Sequence, residues 1–264
     1  MIEVQDLRIT FGAGTPMETP ALRGISLDIP EGQFVTVIGS NGAGKTTLLN
    51  ALSGETIPDT GRVLIDGADV TAWPTYQRAK LAARVFQDPM AGSCANLSII
   101  ENLGLANARG RKRTIGAATG KALREKARSR LARLELGLED RLDDPMELLS
   151  GGQRQAVSLL MATFNPMKIL LLDEHTAALD PKIAAFVIEL TRTIVEERKL
   201  TTMMVTHSMR QALDVGERTI MLHEGQIVLD VSGDERKGLK VEDLLHMFEK
   251  VRGEELDDDT LLLG

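Results

Sequence analysis

The chain has 264 residues, a length that suits one large domain or a core with an inserted subdomain. Hydrophobic residues make up 43% of it and charged residues 26%, which is ordinary for a globular protein with a sizeable core. Its net charge of -7 lacks the basic footprint of proteins that bind nucleic-acid backbones. The single cysteine, Cys94, excludes an internal disulfide, and no apolar stretch is long enough to span a bilayer. We therefore expect any membrane role to act through a partner.

The N-terminal part of the chain predicts strands with one helix among them. Apolar and polar residues alternate over residues 2–9, and a β-branched run (FVTVI) occupies residues 34–38. The predicted elements are strands at residues 2–9, 25–29, 34–38 and 63–65 and a helix at residues 46–52. We expect this strand-rich part to include an antiparallel β region.

The middle of the chain predicts helices, and the C-terminal half alternates strands with helices. Residues 121–136 place apolar side chains at helical spacing among charges, and residues 168–172 form an apolar run typical of a buried parallel strand. The other predicted elements are helices within 97–135, from 150 to 161 and at 183–196, a strand at 201–205, and a hairpin of residues 219–222 and 226–229. This alternation predicts an α/β core with a mostly parallel sheet and an inserted α-helical subdomain.

Residues 39–46 (GSNGAGKT) match the phosphate-binding pattern G-x-x-x-x-G-K-[ST] between a predicted strand and a predicted helix. Glycines let several backbone N–H groups face one anion, and the helix N-terminus adds partial positive charge. Lys45 would reach the β- and γ-phosphates, and the Thr46 hydroxyl would bind Mg²⁺. The predicted nucleotide contacts are Gly39, Ser40, Asn41, Gly42, Ala43, Gly44, Lys45, Thr46 and Thr47. A glycine-rich turn is the plain alternative, and the pattern alone does not separate kinases, GTPases and ATPases.

Two carboxylates, Asp173 and Glu174, follow the apolar run at residues 168–172. Open parallel sheets bind ligands at the carboxyl ends of their strands, so we expect this pair to face the phosphate site. Asp173 suits a Mg²⁺ ion held through water, and Glu174 would orient or deprotonate an attacking water. A solvated Asp-Glu turn is the alternative, and the phosphate-binding pattern favours the functional interpretation.

Residues 149–153 (LSGGQ) open a further predicted helix, where Ser150 would act as a cap and backbone N–H groups would face outward to an anion. This motif is the signature of the ATP-binding cassette family, which the chain resembles along nearly its whole length. The resemblance implies a P-loop NTPase (RecA-like) core and a head-to-tail dimer, in which the signature of one copy faces the ATP held by the other. The residues it assigns to the signature are Ser150, Gly151, Gly152 and Gln153.

Four further residues match family motifs in their usual order. The resemblance implies that Gln87 touches Mg²⁺ or water and links to the membrane subunits, and that Asp180 crosses the dimer interface. It also implies that His207 contacts the γ-phosphate and that Phe11 stacks on adenine. The catalytic residues it predicts are Glu174, His207, Gln87 and Lys45, and the metal-binding residues are Thr46, Gln87 and Asp173.

His175 departs from the family pattern, which has proline after the catalytic glutamate. This departure resembles a subgroup of bacterial importer ATPases that are paired with lipoprotein-type binding proteins, some of which handle aromatic amino acids. His175 is either a neutral local substitution or a group whose charge titrates near neutral pH.

The resemblance implies ATP and Mg²⁺ as cofactors, a second copy of the chain, permease subunits and an extracytoplasmic solute-binding protein as partners. It places the protein at the cytoplasmic face of the membrane, bound through the permease. We expect a nucleotide-binding core at residues 1–88 and 166–250, a helical signature subdomain at 89–165 and a tail at 251–264. The expected cargo is a small solute taken up by the cell, with an amino acid as the leading candidate.

Three alternatives stay open from the sequence. An exporter or lipid-extraction ATPase would carry the same motifs, and so would a soluble ATPase of this family that acts on DNA repair or ribosomes. The acidic charge and the lack of a long heptad stretch disfavour the soluble ATPase. The basic cluster at residues 109–113 (RGRKR) is interpreted as a solvated loop, with contact to anionic headgroups as its alternative.

Overall fold

The computed structural model describes residues 1–110 and 119–252. The chain divides into two compact units: residues 1–78 together with the chain from Lys199 onwards, and residues 79–198. The second unit contains the expected helical subdomain, whose own boundaries stay a prediction. Residues 111–113 of the basic cluster and the expected tail beyond residue 252 lie outside the described residues.

An antiparallel sheet dominates the first stretch of unit one. The elements of this stretch of the chain, in order, are β1 (Ile2–Phe11), β2 (Thr19–Ile29), β3 (Phe34–Gly39), α1 (Lys45–Ser53), β4 (Thr60–Ile65), β5 (Ala68–Asp69) and α2 (Thr75–Arg78). The sheet order is β2-β1-β4-β5 with antiparallel neighbours, which confirms the expected antiparallel region. The uniform alternation expected over residues 2–9 is wrong, because Asp6 has a φ of 42° and the pairing register shifts between Val4 and Leu7. That irregularity lets Leu7 return to the buried face.

The second unit begins with a strand, continues with helices and ends on a long helix. Its elements are β6 (Ala82–Val85), α3 (Ile99–Ala108), α4 (Lys121–Ala132), α5 (Gly151–Ala162), β7 (Ile169–Asp173) and α6 (Pro181–Arg198). Strands β6 and β7 are parallel, with Val85 opposite Leu172. The helix expected to reach residue 136 ends at Ala132, because the chain turns at Glu135, whose φ is 56°. Among the described residues, no helix combines the length and the hydrophobicity needed to cross a membrane.

The remaining chain returns to unit one. It supplies β8 (Thr202–Val205), α7 (Met209–Asp214), β9 (Arg218–His223), β10 (Gln226–Ser232), α8 (Gly233–Lys237) and α9 (Val241–Arg252). Strand β3 lies between β8 and β9 and is parallel to both, and β10 pairs with β9 in the antiparallel sense. All six residues of β3 are buried, and the strand predicted at residues 34–38 is confirmed. The glycine-rich segment therefore follows a central buried strand of a mostly parallel sheet.

Candidate functional site

The glycine-rich segment is a tight loop between β3 and α1. Gly39 has a φ of 149°, and a Cβ atom there would lie 2.2 Å from the Leu222 carbonyl oxygen. Gly44, the residue that precedes α1, has a φ of 98°, and a Cβ there would lie 2.6 Å from the Ala21 carbonyl oxygen. Glycine is therefore required at both ends of the loop, where backbone elements of the same unit approach closely.

Lys45 braces this loop from inside. Its Nζ donates hydrogen bonds to the carbonyl oxygens of Gly39 at 2.7 Å and Ser40 at 3.0 Å, and its side chain is buried. The Gly225 N–H donates to the Ala43 carbonyl at 3.1 Å, so the β9–β10 turn supports the loop from outside. The first turn of α1 contains no acidic residue. A tight loop at a helix N-terminus, with an ammonium group fixed against it, is a site for an anion such as a phosphate chain.

His207 and Phe11 lie in the same unit as the loop. Strand β8 is parallel to β3, with Val205 opposite Val37, so His207 follows β8 at the sheet edge where the loop follows β3. Phe11 ends β1, is 47% exposed and pairs with Thr19, two residues before the Ala21 carbonyl that contacts the loop. The structure therefore brings the loop, the histidine and an exposed aromatic ring to one edge of unit one.

The acid pair and Gln87 lie together in unit two. Asp173 ends β7 and is buried, while Glu174 has a φ of 43°, and its main-chain carbonyl accepts a hydrogen bond from the Ala177 N–H at 2.9 Å. A left-handed backbone is uncommon for a residue other than glycine and turns the chain sharply off the strand. Since Val85 is opposite Leu172, Gln87 and Glu174 both follow the carboxyl ends of paired strands. Gln87 is exposed.

The signature segment forms the N-terminus of α5. The Gln153 N–H donates to the Ser150 Oγ at 3.3 Å, and the Gln153 side chain accepts from the Ser150 N–H at 3.1 Å, a reciprocal cap. A Cβ atom at Gly152 would lie 2.2 Å from the Ile183 Cγ2, so glycine is needed for α5 to pack on α6. Asp180 caps α6 by accepting from the Ile183 N–H at 3.2 Å. These contacts establish capping and packing roles, and the expected contacts of these residues with nucleotide stay predictions.

His175 is buried behind the acid pair. Its Nε2 lies 3.0 Å from the Thr191 Oγ1, and the Thr191 hydroxyl donates to the Val187 carbonyl at 2.8 Å. The hydroxyl proton is committed to Val187, so the Thr191 oxygen accepts from an Nε2–H of His175. Burial lowers the pKa of His175 from 6.5 to about 4. The histidine is therefore neutral at neutral pH, and the idea that its charge titrates there is wrong.

This low pKa predicts a specific dependence of stability on pH. Because the unfolded chain binds a proton on His175 more readily than the folded chain does, the contribution of His175 is fully present above pH 6.5 and is lost as the pH falls to about 4. Between pH 7 and pH 4 the wild-type free energy of unfolding should fall by about 3 kcal/mol more than that of His175→Gln. Urea unfolding at each pH measures this difference. His246→Gln, at an exposed histidine, is the control and should follow the wild type.

A cavity of about 480 Å³ lies beside Gln87 in unit two. Residues of β6, the segment after it, α3 and α5 line this cavity, and they include Arg84, Phe86, Cys94, Leu105, Arg109 and Ser158. Leu105 is 54% exposed and Cys94 is exposed, while the buried Ser158 Oγ has no hydrogen-bond partner among the described residues. The cavity thus has both apolar and polar lining residues.

Arg109 departs from the interpretation of the basic cluster as a solvated loop, which stays a prediction for residues 111–113 outside the described part of the chain. Its Nη2 donates to the Ala162 carbonyl at 2.8 Å, at the C-terminal end of α5, and burial lowers the pKa of its guanidinium. Arg109 therefore belongs to the packed wall of the cavity.

Asn102 also has a structural role. Its side-chain amide forms hydrogen bonds with the backbone of Cys94, Leu97 and Ser98 and fixes the segment that leads into α3.

Sequence reasoning missed the cavity, the buried pairing of His175 and an ion pair between Arg84 and Asp173 at 2.5 Å. Arg84 is the one charged residue in the four-residue strand β6, and this was the one sequence feature that could have indicated an ion pair. No sequence pattern pointed to Thr191 as a partner for His175, since these residues are 16 positions apart.

The family model described as ABC transporter matches residues 22–177. The tyrosine transport ATP-binding protein of Clostridioides difficile (strain R20291) is 43% identical over 252 residues, which cover 94% of this chain and 99% of that protein. The dimeric post-hydrolysis state of the ATP-binding cassette MJ0796 bound to ADP and Pi matches with a TM-score of 0.75 and 31% identity, over 88% of this chain and 98% of the other. CbiO1 from Clostridium perfringens, part of the ABC transporter complex cbiONQ, matches in fold with a TM-score of 0.73 at 23% identity, over 94% of both chains.

Proposed function

This chain belongs to the ABC transporter family as an ATP-binding and ATP-hydrolysing subunit, and we propose that it powers the import of an amino acid through separate permease subunits. The observation that carries the proposal is its 43% identity, across 94% of this chain and 99% of the other, to a tyrosine transport ATP-binding protein. An aromatic amino acid is the first substrate to test.

In this proposal ATP binds at the loop between β3 and α1. Two hydrogen bonds already hold the Lys45 ammonium group against the loop, so it would need little rearrangement to contact the β- and γ-phosphates. The exposed ring of Phe11 stacks on adenine, which contributes about 1–3 kcal/mol by analogy with base stacking on aromatic side chains. His207, at the same sheet edge, contacts the γ-phosphate.

The donors available to a metal fit Mg²⁺. Among the described residues, no group of three or more His, Cys, Asp or Glu side chains could hold a metal by itself. Mg²⁺ commonly takes one or two carboxylates and completes its shell with phosphate oxygens and water. We infer that Asp173, the Thr46 hydroxyl and the Gln87 amide would supply such oxygen donors, and a bound ion would supply positive charge that neutralises the phosphate chain.

Glu174 is proposed as the residue that orients the attacking water and accepts its proton. Its left-handed backbone, fixed by the hydrogen bond from the Ala177 N–H, directs the chain away from Asp173 and separates the roles of the two carboxylates. The neutral His175 adds no charge beside this glutamate.

We further propose that two copies share each ATP. Ser150, Gly151, Gly152 and Gln153 of one copy would contact the nucleotide held by the other, and Asp180 would lie at the interface. Leu148, directly before the signature, is 63% exposed and would add apolar contact to this interface. The ATP-binding cassette MJ0796, 31% identical to this chain, is dimeric when bound to ADP and Pi.

The cavity beside Gln87 is the proposed docking surface for a permease segment. Leu105 offers apolar contact, and the guanidinium of Arg109 favours an acidic or carbonyl-rich partner. Docking there would hold the chain at the membrane through its partner and would link the permease to Gln87.

The single cysteine lines this surface and reports on docking. A maleimide should label Cys94 readily in the isolated chain, because the thiol is exposed. Assembly with the permease in detergent should slow labelling by about tenfold or more, since access controls thiol modification.

The matched control places the thiol elsewhere. In a Cys94→Ser, Asp234→Cys variant the cysteine replaces a side chain that is 98% exposed on α8, and its labelling should not change on assembly. Unchanged labelling of Cys94 in the assembled complex would rule out this cavity as the docking surface.

Transport tests the proposed function itself. In cells that lack this chain, energy-dependent uptake of radiolabelled tyrosine should be lost, and the wild-type chain should restore it while Glu174→Gln should not. Unlabelled amino acids added in competition then define the substrate range. Normal uptake of every amino acid in the absence of the chain would contradict the proposal.

A further inference from the structure

A buried ion pair joins the two strands that carry Gln87 and the acid pair. Arg84, on β6, lies opposite Leu171 of β7, two residues before Asp173. The Arg84 Nη2 lies 2.5 Å from the Asp173 Oδ2, and the two side chains are only 8% and 11% exposed. The guanidinium carbon also lies 4.7 Å from the centre of the Phe86 ring. The aspartate proposed to hold Mg²⁺ therefore has a permanent cation in direct contact.

Stability does not by itself explain this pair. Removing two charges from water has a cost that their attraction often fails to offset, so an apolar pair of similar size would serve a strand at least as well. Arginine stays charged at every physiological pH, and its planar group is fixed here by both the carboxylate and the aromatic ring. The charge at this position is therefore a constant feature of the Asp173 environment.

The fixed positive charge of Arg84 changes how strongly Asp173 attracts a divalent cation. The carboxylate alone attracts such a cation, while a guanidinium at hydrogen-bond distance repels it and compensates the carboxylate charge. A nucleotide would offset the positive charge of Arg84, because its phosphates bring several negative charges and further oxygen ligands. Affinity for the metal would then depend on the presence of nucleotide.

We propose that Arg84 is a positioning residue that orients Asp173 and keeps its affinity for a free divalent cation low, so that metal binds together with nucleotide. This inference rests on the proposed role of Asp173 in metal binding. A purely structural ion pair would instead stabilise the strands and leave metal affinity unchanged or weaker when the arginine is replaced.

Two substitutions separate charge from shape. Arg84→Gln removes the charge but keeps a hydrogen-bond donor for Asp173, and Arg84→Lys keeps the charge. We measure Mn²⁺ binding to each nucleotide-free protein by electron paramagnetic resonance. Arg84→Gln should bind Mn²⁺ about tenfold more tightly than the wild type, and Arg84→Lys should stay within about twofold of it. Adding Asp173→Asn to Arg84→Gln should abolish the gain, which locates the effect at this carboxylate.

Equal Mn²⁺ affinities for wild type, Arg84→Gln and Arg84→Lys, each with a cooperative melt, would overturn the proposal. If Arg84→Gln does not melt cooperatively, Arg84→Met replaces it in the same measurement with the same expected gain, and equal Mn²⁺ affinities for Arg84→Met and the wild type would overturn the proposal. The underlying assignment is tested separately. If Asp173→Asn leaves Mn²⁺ binding in the presence of ATP unchanged, the proposed metal-binding role of Asp173 is wrong. If Asp173→Asn weakens that binding but Arg84→Gln does not tighten Mn²⁺ binding without nucleotide, only the proposed role of Arg84 is wrong.

Discussion

Glu174→Gln should lower the steady-state rate of ATP hydrolysis by about 10²–10⁴-fold, because the amide cannot accept the proton of the attacking water. ATP binding should persist, since the amide keeps nearly the same shape and the proposed phosphate contacts lie elsewhere. With hydrolysis blocked, ATP should accumulate in the closed dimer. Phosphate release measures turnover, and sedimentation with and without ATP measures dimerisation.

The control for this variant is Glu135→Gln. Glu135 is also a glutamate with a left-handed backbone, with a φ of 56° against 43° for Glu174, but it lies on an exposed turn after α4. Its replacement should leave turnover within about twofold of the wild type, as for most surface substitutions. Normal turnover in Glu174→Gln would remove this glutamate from the proposed catalytic role.

Lys45→Met should weaken ATP binding by about 30- to 150-fold, the loss expected when a charge-assisted hydrogen bond worth about 2–3 kcal/mol disappears. The substitution also removes the hydrogen bonds to the Gly39 and Ser40 carbonyls, so the melting temperature should fall as well. A fluorescent ATP analogue measures the affinity, and thermal unfolding measures the loss of loop bracing.

Lys237→Met is the control that removes a lysine charge away from the loop. Lys237 lies in the same unit, is 76% exposed and pairs only with Asp234 at the surface among the described contacts. Its replacement should change neither affinity nor melting temperature by a measurable amount. An unaltered affinity in Lys45→Met would show that the phosphates do not bind at this loop.

The elements that could be predicted from the sequence are those whose signal is local. The run FVTVI predicted β3 because a short segment rich in β-branched residues suits a strand, and all six residues of β3 are buried. The glycine pattern predicted the loop because glycines tolerate positive φ, and Gly39 and Gly44 have φ values of 149° and 98°. The capping pattern at Ser150 and Gln153 likewise formed as a local pair.

Features that depend on contacts between distant residues could not be predicted. The turn that ends α4 at Ala132 and the irregularity at Asp6 interrupt patterns that are regular in the sequence. The pKa of His175 depends on burial, which the sequence does not display. Helix α9 had a readable signal in Leu244 and Phe248, four residues apart and both buried, but it was not recognised beside the charged residues around it.

The central claim is that each ATP is hydrolysed between two copies, and complementary defects test it most directly. Lys45→Met damages the loop and leaves the signature intact, while Ser150→Arg blocks the signature and leaves the loop intact. Each variant alone should be nearly inactive. Mixed in equal amounts they should recover about a quarter of the wild-type ATPase rate, because half of the dimers are mixed and each mixed dimer contains one intact site. A mixture no more active than its components would contradict the shared site.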